Sequence, residues 1–187
     1  MRLRLLTLGG ALAVAGLAGW TLSRPNHDNG DTAHLDTRVT FEQPSIETNA
    51  AVEGDSLPDA TVQNLAGDDI TIASLIGRPM VINIWGSTCG PCKKELPAFA
   101  AANLQFGDSV RFVGIDYLPA SDREEAFARD RGVQYELFYD GDGEFVNSAG
   151  VSAFPVTLFV DSSGRIVRQT GQLDEAELIA FIESDLL

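Results

Sequence analysis

The first strong pattern in the chain is an apolar run that changes into helical spacing. The run from Pro79 to Trp85 is almost continuously apolar, which is typical of a strand buried on both faces of a sheet. Three small or polar residues then turn the chain, and apolar side chains recur at helical spacing. These are Cys92, Leu96, Phe99, Ala100 and Leu104. The pattern predicts a strand followed directly by a helix, with two cysteines at the junction.

The same alternation continues on both sides of this unit. Strand-like stretches at 60–63 and 69–72 precede it. A strand over 110–117 and a helix near 121–131 follow it, and such strand-helix repeats imply parallel strands. The region between 132 and 153 carries no element that we can predict.

The last part of the domain predicts antiparallel strands and a closing helix. Strands at 156–160 and 166–168 flank a turn rich in Asp, Ser and Gly, which favours a hairpin. A helix over 174–186 opens with Asp174 and Glu177 at the spacing of a capping box. The sequence therefore predicts an α/β fold with a central mixed β-sheet flanked by helices.

The N-terminal residues have the layout of an export signal. Arg2 and Arg4 precede an uncharged run that extends to Ser23, which is close to the roughly 20 residues that cross a bilayer. We predict a signal-anchor helix over 1–23 that holds a single-pass protein in the cell membrane, with its domain on the extracytoplasmic side. A cleaved signal peptide and a secreted product are the alternative, since small residues suited to a peptidase occur in the run.

Residues 24–53 are polar and acidic, without apolar periodicity, and we interpret them as a flexible linker before a domain over 54–187. His27 and His34 lie in this linker, where we assign them no role.

Composition narrows the choice of partners. Hydrophobic residues at 44% and charged residues at 21% fit one soluble domain, which we expect to be a monomer. A net charge of −14 would repel a phosphate backbone, so we expect no nucleic-acid partner.

The two cysteines carry the candidate chemistry. They are the only cysteines and lie three positions apart, too few for a disulfide-rich scaffold. A helix N-terminus lowers a thiol pKa from about 8.5 toward roughly 3.5–7.5, so Cys89 is the predicted nucleophile. Cys92 would then resolve the mixed disulfide.

Other uses of a cysteine pair remain open at this point. A zinc site needs about four ligands, and beyond the pair only the linker histidines are available. A structural disulfide over so short a loop would restrain the unfolded chain little. A copper-carrying dithiol lacks a downstream His or Met cluster but is harder to dismiss. We expect no metal and no cofactor.

The segment Trp-Gly-Ser-Thr-Cys-Gly-Pro-Cys, residues 85–92, closely resembles the active site of thioredoxin. From about residue 54 to the end the chain resembles the TlpA/ResA-like branch, which includes thioredoxin-like proteins of cytochrome c maturation. The resemblance implies a thioredoxin fold, with Trp85, Gly90 and Pro91 supporting the cysteines. It also implies a helix-kinking proline at Pro97.

The resemblance further implies a cis proline facing the cysteine pair, and Pro155 stands in its place. Phe154 before it would present its backbone to an extended substrate segment. Two positions depart from thioredoxin. Asn83 replaces a buried aspartate, so we predict that Asp116, at the end of the next strand, is the replacement carboxylate. Thr88 replaces a tryptophan, which removes an aromatic contact beside the first cysteine.

Taken together, the resemblance implies an extracytoplasmic reductase of disulfides in exported proteins, with apocytochrome c as the leading substrate class. Its electrons would come from a membrane donor of the DsbD or CcdA kind. A disulfide oxidase is the second hypothesis, and a reduction potential near −120 mV instead of about −270 mV would favour it. A copper-binding or metal-delivery module is the third.

Overall fold

A computed structural model describes residues 48–187. The predicted signal anchor and most of the predicted linker lie outside the described residues. None of the helices within 48–187 is long and apolar enough to cross a membrane.

A mixed sheet forms the centre of the described domain, as predicted. Within 48–187 it has seven strands in the order β2-β1-β5-β4-β3-β6-β7. β3, β4 and β5 run parallel, and the pairings at both ends of the sheet are antiparallel. The strands are β1 Thr61–Gln63, β2 Asp69–Thr71, β3 Met80–Trp85, β4 Arg111–Asp116, β5 Glu136–Tyr139, β6 Val156–Val160 and β7 Ile166–Thr170.

Helices cover both faces of this sheet. They are α1 Gly90–Phe106, α2 Asp122–Arg129, α3 Glu144–Ser148 and α4 Glu175–Asp185, with a short 3-10 helix at Ile72–Leu75. Successive side chains of a strand point to opposite faces. Ile82 and Ile84 therefore pack toward α3, whereas Val81 and Trp85 pack toward α1, α2 and α4. The cysteine-bearing helix thus lies on a fully buried central strand.

The last helix begins as the sequence predicts. The Asp174 side chain accepts a hydrogen bond from the Glu177 backbone N–H at 2.9 Å, and the Glu177 side chain accepts one from the Asp174 N–H at 3.1 Å. This reciprocal capping box fixes the start of α4, which packs against α1.

Two elements were not predicted from the sequence, namely β5 and α3. β5 has four residues and α3 has five, too few for a periodic signal. Instead, Asp140 fixes this region, because its buried carboxylate accepts the backbone N–H groups of Phe145 and Val146 at 3.0 and 2.8 Å. β5 extends the sheet beyond β4 and pairs with β1.

The end of the predicted linker is attached to the domain. The Asn49 side chain donates to the carbonyl oxygen of Ala153 at 3.0 Å and accepts the N–H groups of Ser152 and Ala153 at 2.6 and 2.8 Å. Ala50 also donates its N–H to the carbonyl of Gly150 at 2.9 Å. These bonds hold the loop that leads into Pro155.

Candidate active site

Cys89 and Cys92 form a disulfide at the junction of β3 and α1. Cys89 is the N-cap residue of α1, and its sulfur accepts the Cys92 backbone N–H at 3.2 Å. Cys92 is fully buried, whereas Cys89 is partly exposed. Only the sulfur of Cys89 is therefore open to a protein substrate.

The local sequence explains why the helix begins here. The backbone N–H of Cys89 donates to the carbonyl of Gly86 at 3.0 Å, which closes the turn that follows β3. Pro91 lies in the first turn of α1, where a missing N–H costs nothing because that donor has no partner inside the helix. Gly90 is exposed and has open space around its Cα.

Two aromatic side chains lie beside this turn. A Cβ at Gly86 would come within 2.5 Å of the Tyr117 ring, so glycine is needed for the ring to lie there. The Tyr117 hydroxyl is 2.8 Å from the Thr88 hydroxyl, and the Tyr117 ring packs on Phe154 with centroids 4.2 Å apart. Thr88 stands in place of a tryptophan beside Cys89, and the rings of Tyr117 and Phe154 provide aromatic surface beside the same turn.

The predicted cis proline is confirmed. The Phe154–Pro155 peptide bond is cis, directly before β6. β6 is antiparallel to β3, with Val156 opposite Ile84, so the loop lies next to the strand that leads to the cysteines. Phe154 is half-buried and packs with Cys89 against the same core cluster.

Trp85, the other predicted supporting residue, lies below the pair. Its side chain is fully buried and stacks on Phe127, with centroids 6.0 Å apart and planes at 12°. The guanidinium of Arg131 lies over the Phe127 ring, 3.5 Å from its centroid. Trp85 is thus held in one position between β3 and α2.

Glu95 is the functional candidate that the sequence analysis missed. It follows Cys92 by three residues, so both side chains lie on the same buried face of α1. The Asn83 side chain donates to Glu95 at 2.8 Å, and the Leu173 N–H donates to its second oxygen at 3.3 Å. Burial raises the pKa of Glu95 to about 7, against the opposing effect of the Asn83 hydrogen bond.

A signal for Glu95 was present in the sequence. A glutamate within an apolar helical face, between Cys92 and Phe99, has to be buried. We interpreted Asn83 as the replacement of a buried aspartate, and its amide holds a carboxyl group contributed by the neighbouring helix.

Asp116, the predicted replacement carboxylate, is also buried, with no exposed side-chain surface. It lies at the end of β4, in register with Trp85. Burial raises the pKa of Asp116 to about 8, although the Leu118 N–H opposes the shift. Asp116 is therefore a second buried carboxyl group near the site besides Glu95, and a functional role for it stays a prediction.

Comparison with known proteins agrees with this geometry. The AhpC/TSA family matches residues 53–169. The thiol-disulfide oxidoreductase ResA of Bacillus subtilis is 28% identical over 126 residues, which cover 66% of this chain and 70% of ResA.

Solved structures show the same fold. DsbF of MTB (Mycobacterium tuberculosis) is 25% identical with a TM-score of 0.62, covering 68% of this chain and 96% of DsbF. A DsbF homologue from Corynebacterium diphtheriae is 24% identical with a TM-score of 0.60, covering 77% of this chain and 97% of the homologue. These matches confirm the thioredoxin-like fold and the resemblance to ResA-type proteins.

The raised pKa of Glu95 predicts how stability depends on pH. The folded state binds a proton that the unfolded state releases near pH 4.5, so this stabilisation is fully present below about pH 4.5 and is lost as pH rises through about 7. We compare the oxidised proteins. Between these pH values the free energy of unfolding should fall by roughly 3 kcal/mol less in Glu95→Gln than in the unsubstituted protein. Urea unfolding at several pH values measures this.

Glu183→Gln is the control, because Glu183 is an exposed acid on α4. The prediction is wrong if the Glu95→Gln protein retains the same pH dependence as the unsubstituted and control proteins.

Proposed function

This chain belongs to the AhpC/TSA family, and with its thiol site and ResA-type relatives it is a thiol-disulfide oxidoreductase, which we propose acts as a reductase of disulfides in exported proteins. The observation that carries this proposal is the pair formed by Cys89, exposed at a helix N-terminus, and Cys92, buried behind it.

In the reduced enzyme, the Cys89 thiolate attacks one sulfur of a substrate disulfide. A bond forms between Cys89 and that sulfur, and the other substrate sulfur leaves as a thiolate. The Cys92 N–H, which already points at the Cys89 sulfur, favours the charged nucleophile together with the helix N-terminus. Phe154, which packs against the same core cluster as Cys89, and Tyr117, which packs on Phe154, offer an apolar surface to the substrate segment.

The second step releases the product. Cys92 loses its proton and attacks the Cys89 sulfur, which frees the second substrate thiol and leaves the intramolecular disulfide seen in the structure. Glu95 is the titratable group on the same helix face as Cys92, so we assign it the role of accepting this proton. A carboxyl with a pKa of about 7 can bind and release a proton at neutral pH.

One feature of the active-site sequence supports reduction over oxidation. The Gly90–Pro91 dipeptide is typical of reducing thioredoxin-like proteins, which this chain resembles. A reductase outside the cytoplasm needs electrons from across the membrane, and a dithiol donor of the DsbD or CcdA kind would supply two electrons and two protons to each Cys89–Cys92 disulfide. Apocytochrome c, with its paired haem-attachment cysteines, is the substrate that we propose first.

The location follows from the N-terminal sequence. We propose that residues 1–23 anchor the protein in the cell membrane and that the domain lies on the extracytoplasmic side. Retention of the full-length chain in membranes after alkaline washing is the expected result, with a chain starting at Arg24 as the soluble control. If expression of the full-length chain instead released a shortened product, residues 1–23 would be a cleaved signal peptide.

The nucleophile assignment predicts a trapped intermediate. Cys92→Ala removes the resolving thiol, so a mixed disulfide with substrate should accumulate through Cys89. Mass spectrometry of the covalent products in native cells would identify both the cysteine and the partners. Cys89→Ala is the matched control and should trap little, because Cys92 is buried. Trapping mainly through Cys92 would overturn the assignment.

The direction of exchange is tested on the same protein. A reduction potential near −270 mV with reduction of an insulin disulfide supports a reductase, and a potential near −120 mV would identify an oxidase. Tight binding of one copper ion without insulin reduction would favour the metal-delivery alternative.

A further inference from the structure

Two acidic side chains are buried beside the active-site turn and take no part in the exchange steps. Asp116, at the end of β4, has no exposed surface, and Glu124, in the first turn of α2, is 4% exposed. Burial of even one ionised carboxylate carries a large free-energy cost unless partners compensate it. Their contacts indicate what compensates the pair.

Each carboxyl has one satisfied oxygen and one without a donor. One oxygen of Asp116 accepts the Leu118 N–H at 2.9 Å, and one oxygen of Glu124 accepts the Ser87 hydroxyl at 2.8 Å. The second oxygens, Oδ2 of Asp116 and Oε2 of Glu124, are both buried and lack a donor. The two carboxyl groups lie within hydrogen-bonding reach of each other.

Two ionised carboxylates cannot satisfy this contact, since both are acceptors only. A single proton between them satisfies both orphan oxygens and removes the repulsion. Asp116 is the better place for that proton. One oxygen of Glu124, in the first turn of α2, already accepts the Ser87 hydroxyl, whereas burial raises the pKa of Asp116.

The ionisable groups around the pair are engaged with partners of their own. From β5, Tyr139 lies opposite Asp116, but its hydroxyl donates to Glu125 at 2.6 Å. On α2, the guanidinium of Arg129 is paired with Glu125 at 2.7 Å. The carboxylate of Asp140, the residue after β5, accepts two backbone N–H groups of α3. Burial and the neighbouring Glu124 both raise the pKa of Asp116, to about 8.

Ser87 connects the pair to the chemistry. It lies between Trp85, the last residue of β3, and Cys89, and its hydroxyl is buried on Glu124. We propose that Asp116 and Glu124 share one buried proton and, through Ser87, position the turn that carries Cys89. This inference rests on the proposed function and assigns the pair a positioning role.

Loss of the shared proton has a defined consequence. It leaves two negative charges in contact inside the protein, and their repulsion drives Glu124 toward solvent and away from Ser87. The turn before Cys89 then loses a tie, and the added negative charge opposes formation of the Cys89 thiolate. Reactivity of Cys89 should therefore carry a second titration, distinct from that of its own sulfur.

The proton is detected directly by carbon NMR of aspartate side chains labelled at the carboxyl carbon. The Asp116 resonance, assigned by its loss in Asp116→Asn, should titrate near pH 8. A titration near pH 4, the ordinary range of aspartate, would overturn the shared proton.

The coupling to Cys89 is tested by its alkylation rate in the reduced full chain between pH 6 and 10, read by mass spectrometry. Near pH 8.5 the rate should fall below that of a single-thiol curve by up to about twofold, because a rise of about one unit in a Cys89 pKa near 7.5 roughly halves the thiolate fraction at that pH. Asp116→Asn keeps a donor to Glu124 without a titrating proton, so the second titration should disappear. Asp122→Asn, at an exposed acid in the same helix turn, should retain it.

Ser87→Ala removes the hydroxyl that connects Glu124 to the turn before Cys89. It should keep the Asp116 NMR titration and reduce the effect on Cys89 to that of the added charge alone. An unchanged alkylation profile in both Asp116→Asn and Ser87→Ala would overturn the positioning role. Absence of disulfide exchange by the unsubstituted protein, with the Asp116 titration near pH 8 intact, would instead overturn the proposed function and leave the shared proton standing.

Discussion

The backbone N–H groups at the start of helix α1, which have no carbonyl partner inside the helix, are the physical feature on which the proposed chemistry depends. A buried strand, β3, delivers the chain to a tight turn, and the helix begins immediately afterwards with Cys89 as its cap. A sulfur at that point meets a backbone donor at 3.2 Å and the positive end of the helix dipole. The rest of the fold holds this junction in place, through Pro155 on one side and α4 behind α1.

The site combines an ionisable sulfur with an apolar interior that resists charge. Cys92 and Trp85 are fully buried, so a proton that leaves Cys92 needs a nearby acceptor. Glu95, on the same helix face, is the acceptor that we propose, and Asn83 donates a hydrogen bond to it. Burial raises the pKa of both Glu95, on α1, and Asp116, at the end of β4.

Much of this arrangement could be predicted from the sequence, because the strongest elements have clear periodicity. The strand predicted from the run Pro79 to Trp85 forms over Met80–Trp85, and the helix after it and the capping box at Asp174 also appear where the pattern places them. β5 and α3 could not be predicted, since they are short and the Asp140 side chain, which binds the backbone N–H groups of Phe145 and Val146, gives no periodic signal. Glu95 was not predicted, because an asparagine at position 83 indicates a missing acid and does not reveal that its amide donates a hydrogen bond to a carboxyl group on α1. The partnership of Asp116 with Glu124 required the fold itself, which brings β4 and α2 together.

The central claim is that the helix N-terminus stabilises the Cys89 thiolate, and its most direct test is the pH at which that thiolate forms. Alkylation of Cys89 in the reduced protein, compared with the same chain unfolded in urea, separates the effect of the helix from that of the sequence. The account predicts a midpoint at least about one pH unit below the roughly 8.5 of an ordinary cysteine, and a return to that value on unfolding. Equal midpoints near 8.5 in the folded and unfolded chains would contradict it.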